Sequence, residues 1–215
     1  MLVDGFMRTS PATPVVGTLL LAHGAGAPMD SEFMNSLSSA LGEAGVQVLR
    51  FEFPYMTLRR QQGGKRPPNP MPVLLDSFRE HYKQAREQAV GPLFIGGKSM
   101  GGRVASLLAD ELSPAGLMCF GYPFHPPGKP ERLRTEHLLQ LQTPTLILQG
   151  TRDPFGKKAE VDMYALSEQL RIHWLESGDH DFKPLKSSGL TQQQLIAQAA
   201  QAATLFMRDQ ACIRA

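Results

Sequence analysis

The stretch Phe94-Ile95-Gly96-Gly97-Lys98-Ser99-Met100-Gly101-Gly102-Arg103, FIGGKSMGGR, contains two competing motifs. Its GGKS resembles the end of a phosphate-cradling P-loop, and its GKSMG fits the G-x-S-x-G of a nucleophile elbow. A P-loop needs G-x-x-x-x-G-K-[ST], so that successive backbone N–H groups wrap a phosphate. Counting back from Gly97 puts the first required glycine on Pro92, which has no N–H and opens a strand. The apolar run PLFI leads almost directly into GGKS and leaves no room for the cradle. The elbow suits these surroundings better. A strand leads in, the amphipathic helix GRVASLLADEL leads out, and Gly96, Gly97, Gly101 and Gly102 let the chain turn sharply at Ser99. The plainer alternative is a glycine-rich turn carrying an idle serine.

Working outward, strand-length apolar runs alternate with helix-length amphipathic segments. Strands are expected at TLLLA (18–22), VQVLRF (46–51), PLFI (92–95), AGLMCFGYP, TPTLILQG and RIHWLE. Helices are expected near residues 30–43, 73–89, 102–112, 159–170 and 191–208, with a Pro- and Gly-rich loop over 54–72. Because most of these strands are unbroken apolar runs separated by helices, the sheet should be mainly parallel and covered on both faces. The pattern predicts one α/β domain spanning residues 1–215.

Composition narrows the function classes. The chain has 215 residues, 42% hydrophobic and 20% charged, which suits one globular domain with a real core. A formal net charge of +2 gives no overall field of the kind a dedicated nucleic-acid binder uses. No run approaches the roughly 18–20 apolar residues of a membrane span, and MLVDGFMRTSPATPVVG lacks the apolar core of a secretory signal. Neither Cys119 nor Cys212 has a metal-type or redox-type companion. No metal, cofactor, nucleic acid or membrane partner is therefore expected, and the setting should be reducing and cytoplasmic.

A serine hydroxyl needs a base, and the base needs an orienting group. In a strand–elbow–helix fold the chain order should be Ser, acid, His. TLILQGTRDPFG places Asp153 just past a strand, and RIHWLESGDHDF places His180 just past the next. Loops that follow parallel strands share one sheet edge, so Ser99, Asp153 and His180 should converge there. Asp153 could instead simply form its turn, and His180, between Asp179 and Asp181, could be a surface histidine or part of a weak metal site. His173 lies within a strand, His137 in an expected helix, and His81 precedes the serine. His125, in YPFHPPGK at the same edge, is the rival base and otherwise a candidate substrate contact. The oxyanion donors expected are the backbone N–H of Met100 and that of Ala25 in HGAGAP, with Gly26 as the second choice. His23 should brace that turn.

Taken together, LLLAHGAGAP, GGKSMGGR, GYPFHPPGKPERLRTEHL, PTLILQGTRDPFG and GDHDF resemble the α/β-hydrolase superfamily. They are most similar to a small lidless, dienelactone-hydrolase-like branch, with relatives among a testis-expressed protein and a subunit of the NSL chromatin complex. The resemblance implies the triad Ser99, Asp153 and His180, an oxyanion hole around Ala25 and Met100, and a small acyl substrate cleaved through an acyl-enzyme. The short, Pro-rich interval between about residues 122 and 145 implies an open site without a large cap. The chromatin-associated relatives imply a second possibility, a catalytically weak interaction module. A monomer or homodimer suits either reading.

From Pro54 to Leu75 there are no acidic residues, but Arg59, Arg60, Lys65 and Arg66 are present. Following a strand, this segment should overhang the same edge, so Arg59 and Arg60 could favour an anionic substrate. A merely solubilising, solvated loop is the alternative. Lys98 should point near the pocket mouth, and Arg103 should pair with Asp110 or Glu111 or meet the sheet edge.

Overall fold

The computed structural model describes residues 5–11 and 15–213; residues 1–4 and 12–14, part of the stretch tested for a secretory signal, lie outside them. Along the chain come β1 (Met7–Thr9), β2 (Gly17–Ala22), α1 (Glu32–Glu43), β3 (Val46–Phe51), α2 (Pro54–Gln62) and α3 (Met71–Gln88). There follow β4 (Leu93–Lys98), α4 (Met100–Leu112), β5 (Leu117–Phe120), β6 (Thr145–Gly150), α5 (Lys158–Val161), β7 (Leu170–Leu175) and α6 (Gln192–Ile213). The strands form one sheet in the order β1-β3-β2-β4-β5-β6-β7, parallel except for β1. This is the α/β-hydrolase arrangement, with no large cap domain.

Strand alternation sorts the core into two layers. Leu20, Ala22, Leu49, Phe51 and Ile95 face a layer built with α2, α3 and α4, where Tyr55, Phe78 and Val104 are buried. Leu19, Leu21, Val46, Val48 and Phe94 face the other way, against Leu37 and Leu41 of α1 and Leu195, Ala199 and Phe206 of α6. Each fully buried side chain of this size contributes roughly 1.5–3 kcal/mol. The layers hold β4 at the centre, with β2 and β5 hydrogen-bonded on either side.

Three expectations need correction. Residues 54–62 form helix α2 rather than a loop, because proline is well suited to the first helical position, where its missing N–H costs nothing. Tyr55 and Met56 anchor its inner face and Gly63, at φ 71°, ends it. The helix expected over 159–170 shrinks to Lys158–Val161. Beyond it the backbone is tied to the β5–β6 excursion instead: Ser167 donates its N–H to the Leu138 carbonyl and its hydroxyl to the Leu141 carbonyl. Strand β1 was not anticipated; it is three residues long and pairs antiparallel with β3, Met7 opposite Arg50. Among the described residues, no helix is long and apolar enough to cross a membrane.

Three partly or fully buried histidines couple this fold to pH. Burial lowers His23 and His81. Burial, reinforced by the nearby Arg103 charge and opposed by Asp110, pushes His137 down from 6.5 to about 4. These groups are held neutral in the folded state, so the stability they contribute is fully present above about pH 6.5 and drains away as pH falls towards the folded values. Asp30 and Asp110 are lowered below 3.8 and act only in stronger acid. The urea midpoint should therefore fall between pH 7.5 and pH 5, and by a smaller amount in His137→Asn. An unchanged midpoint over that range, or an undiminished drop in the variant, would contradict this assignment.

Candidate active site

Ser99 sits where β4 meets α4, at φ 52° and ψ −115°. A non-glycine residue in that region carries strain of order 1–3 kcal/mol, which the surrounding packing must hold. The neighbouring glycines explain how. A Cβ on Gly97 would lie 2.3 Å from the Gly101 carbonyl carbon, and one on Gly101 would lie 2.6 Å from the His23 carbonyl oxygen. Strand and helix therefore approach backbone to backbone, which lifts Ser99 above the sheet edge.

The three separated residues meet there. His180 Nε2 lies 2.8 Å from Ser99 Oγ, and its Nδ1 lies 2.8 Å from Asp153 Oδ2. Asp153 is fully buried. Its Oδ1 accepts the Phe155 N–H at 2.9 Å, and its Oδ2 also accepts Gln149 Nε2 at 3.0 Å. With Asp153 accepting the Nδ1 proton, Nε2 is left to accept from the serine. Phe155 packs on the imidazole with ring centroids 4.2 Å apart.

Two backbone donors belong to residues that line a cleft together with Ser99. The N–H groups of Ala25 and Met100 have no acceptor among the described residues. Met100 opens α4, whose unpaired N–H groups and dipole favour negative charge. The 23–26 turn is braced as the sequence suggested. His23 Nε2 accepts the Phe53 N–H at 3.1 Å, so its Nδ1 donates to the Gly24 carbonyl at 2.7 Å. The Tyr55 hydroxyl adds a bond to the Ala25 carbonyl at 2.9 Å.

Lys98, expected near the pocket mouth, does line the cleft beside Ser99, but it is buried there. Its Nζ donates to the His180 carbonyl at 2.7 Å, lies 3.4 Å from Asp181 and sits 5.3 Å from the Phe33 ring centroid. Burial pulls its pKa below the ordinary lysine value, while Asp181 and Asp153 oppose that. The lysine that made the motif look like a P-loop thus ties down the histidine loop.

Ser99 lies at the junction of two clefts. One, of about 300 Å³, is walled by Gly26, Phe33, Lys98, His180 and Asp181. The other, of about 370 Å³, is walled by Met71, Leu74, Met100, Arg103, Pro123 and Arg134. Ala25, Ser99 and Phe155 border both. A larger cavity of about 590 Å³, around Arg86, Pro92 and Leu112, has no histidine or carboxylate on its wall.

The other sequence candidates lie outside both clefts. Arg60 is bound to Glu52 and Asp30, at 2.5 and 2.7 Å, and Arg59 donates to the Gly26 carbonyl at 3.2 Å. His125 is 2% exposed, with its ring bonded to the Pro126 carbonyl at 2.8 Å and facing Glu160 at 3.3 Å. These three positions brace structure rather than face a substrate. Among the described residues no cluster of His, Cys, Asp and Glu could hold a metal ion.

A family model described as an alpha/beta hydrolase domain matches residues 16–208. The chain belongs to the alpha/beta hydrolase domain family. Solved structures agree with this fold. An alpha-beta serine hydrolase homologue from Coxiella burnetii matches at 19% identity and TM-score 0.69, covering 92% of this chain and 90% of that one. A serine hydrolase without lid from Xanthomonas campestris matches at 19% identity and TM-score 0.64, covering 91% and 87% respectively. Dienelactone hydrolase from Anabaena variabilis matches at 18% identity and TM-score 0.65, covering 93% and 88%. In this alpha/beta hydrolase, β4 and α4 supply the serine turn, and the loops after β6 and β7 supply Asp153 and His180.

Proposed function

We propose that this alpha/beta hydrolase is a serine hydrolase that cleaves small esters or related acyl compounds through an acyl-enzyme. The observation that carries the reading is the unbroken chain Ser99–His180–Asp153, with both hydrogen bonds at 2.8 Å. Ser99 Oγ attacks the acyl carbon while His180 Nε2 takes its proton, and Asp153 holds the ring in the required tautomer. The N–H groups of Ala25 and Met100 receive the oxyanion, a contribution worth roughly 3–4 kcal/mol per donor in comparable sites. His180 then protonates the leaving group, and water, deprotonated by the same nitrogen, releases the acid. The likeness of the five sequence blocks to the testis-expressed and NSL-subunit branch supports counting the chain beside it within this proposal.

A fluorophosphonate probe tests the chemistry without knowledge of the substrate. Stoichiometric labelling, with the adduct mapped to Ser99 by peptide mass spectrometry, is the expected result. Well-folded protein that stays unlabelled, or carries the adduct elsewhere, would sink the reading.

A further inference from the structure

We propose that the cleft holding Arg103 and Arg134 is an acyl-side subsite for a carboxylate, so that the preferred substrates are esters whose acyl group ends in an anion. The proposal rests on the serine-hydrolase reading for which half of the ester lies where, but not for the anion site itself. Arg103 stands on the first turn of α4, four residues after Ser99, and Arg134 lies in the excursion between β5 and β6. Both line the cleft that reaches Ser99 and Met100.

Neither guanidinium forms an ion pair or a side-chain hydrogen bond among the described residues, and Arg103 Nε is buried without a partner. The nearby acids are committed elsewhere. Asp110 accepts the N–H groups of Gln142 and Thr143 and the Thr143 hydroxyl, the last at 2.7 Å. Glu111 holds Arg79 at 2.7 Å. His137, the other titratable ring beside Arg103, is kept neutral by burial. Arg60 and Arg79, by contrast, each reach two carboxylates.

Two like charges side by side, partly stripped of water and without a counter-ion, are costly, and burial and the Arg103 charge both depress Arg134. An incoming carboxylate relieves that cost, and guanidinium forks suit its two oxygens. Most of the remaining wall, including Met71, Leu74, Pro123 and Phe155, is apolar and suits a short methylene chain between the carboxylate and the scissile carbonyl, while the polar Asn69 is engaged by the Tyr55 N–H.

The side assignment follows from proton transfer. His180 must reach the leaving oxygen, and His180 lines the other cleft, so the alcohol departs there. The acyl chain is left with the arginine cleft.

The test compares p-nitrophenyl hydrogen glutarate with p-nitrophenyl butyrate, read as the ratio of their kcat/KM values so that any general loss of activity cancels. Wild type should favour the glutarate ester, and Arg103→Gln and Arg134→Gln should each reduce that ratio about 10- to 100-fold, the range for a hydrogen bond to a charged group. Arg103→Lys should retain part of it. In parallel, calorimetry of free glutarate with Ser99→Ala should show saturable binding that weakens with added salt and disappears in the Arg103→Gln/Arg134→Gln background. No preference in an enzyme that hydrolyses butyrate, or a preference that survives both substitutions, would overturn the subsite. Glutarate binding without any ester turnover would keep the subsite and discard the serine-hydrolase reading instead. Failure of Ser99→Ala to bind glutarate would count directly against the subsite.

Discussion

Ser99→Ala is expected to lower kcat for p-nitrophenyl acetate by about 10,000-fold or more, with KM little changed. The substitution deletes the one oxygen that His180 Nε2 contacts at 2.8 Å and leaves everything else in place. Alanine can keep φ at 52° with no more strain than serine, so the turn should persist. The lost hydrogen bond should cost only about 1 kcal/mol of stability. Some rate over the uncatalysed reaction should remain, because the Ala25 and Met100 N–H groups still receive the oxyanion from a directly attacking water. Steady-state rates, with thermal melting as the folding control, check this. A loss smaller than about tenfold in a normally melting variant would mean that Ser99 is not the nucleophile.

How much of this site was legible in the sequence depended on distance along the chain. Ser99, Asp153 and His180 could be found because each follows a parallel strand closely, and strand ends share one edge. The Ala25 turn could be read for the same reason. Side chains whose partners lie far away could not. Arg103 was expected on Asp110 or Glu111, about two helical turns on, or at the sheet edge. Those acids are claimed by Gln142 and Thr143 across the β5–β6 excursion and by Arg79 across the α3–α4 contact, links that no local spacing reveals. His125 lies at the right edge, but Glu160, 35 residues onward, turns it into a buried brace. Lys98 faces inward because the 178–183 loop folds over the end of β4, which depends on the whole sheet being assembled. Helix α2 was hidden by its leading Pro54, by the Pro- and Gly-rich stretch that follows it and by its polar composition, since only Tyr55 and Met56 report its buried face. The fold could be read from repeated local periodicity. The division of cations into paired Arg60 and unpaired Arg103 is a property of tertiary packing.

Asp153→Asn should be nearly as damaging as loss of the nucleophile, at about 10,000-fold in kcat near neutral pH, although it changes almost no volume. The hydrogen bonds around the side chain decide which way the new amide turns. In one orientation its oxygen replaces Oδ2 and keeps the His180 and Gln149 bonds, but its NH2 then opposes the Phe155 N–H, which has no other acceptor. Leaving a buried donor unpaired costs roughly 1–3 kcal/mol. In the other orientation the oxygen keeps the Phe155 bond and the NH2 faces His180 Nδ1 and Gln149 Nε2. Gln149 tolerates this, because its amide also reaches the Tyr122 and Gly156 carbonyls at 3.2 and 3.3 Å. The second orientation therefore prevails, and the NH2 donates to an unprotonated Nδ1. The imidazole proton then moves to Nε2, which points at Ser99 as a donor and can no longer accept its proton. Nitrogen-15 NMR of His180 should show the Nδ1–H tautomer in the wild type and the Nε2–H tautomer in Asp153→Asn, while the melting temperature stays close to the original. Loss of activity without that exchange of tautomers would reduce Asp153 to a packing residue, and full activity would remove it from the mechanism.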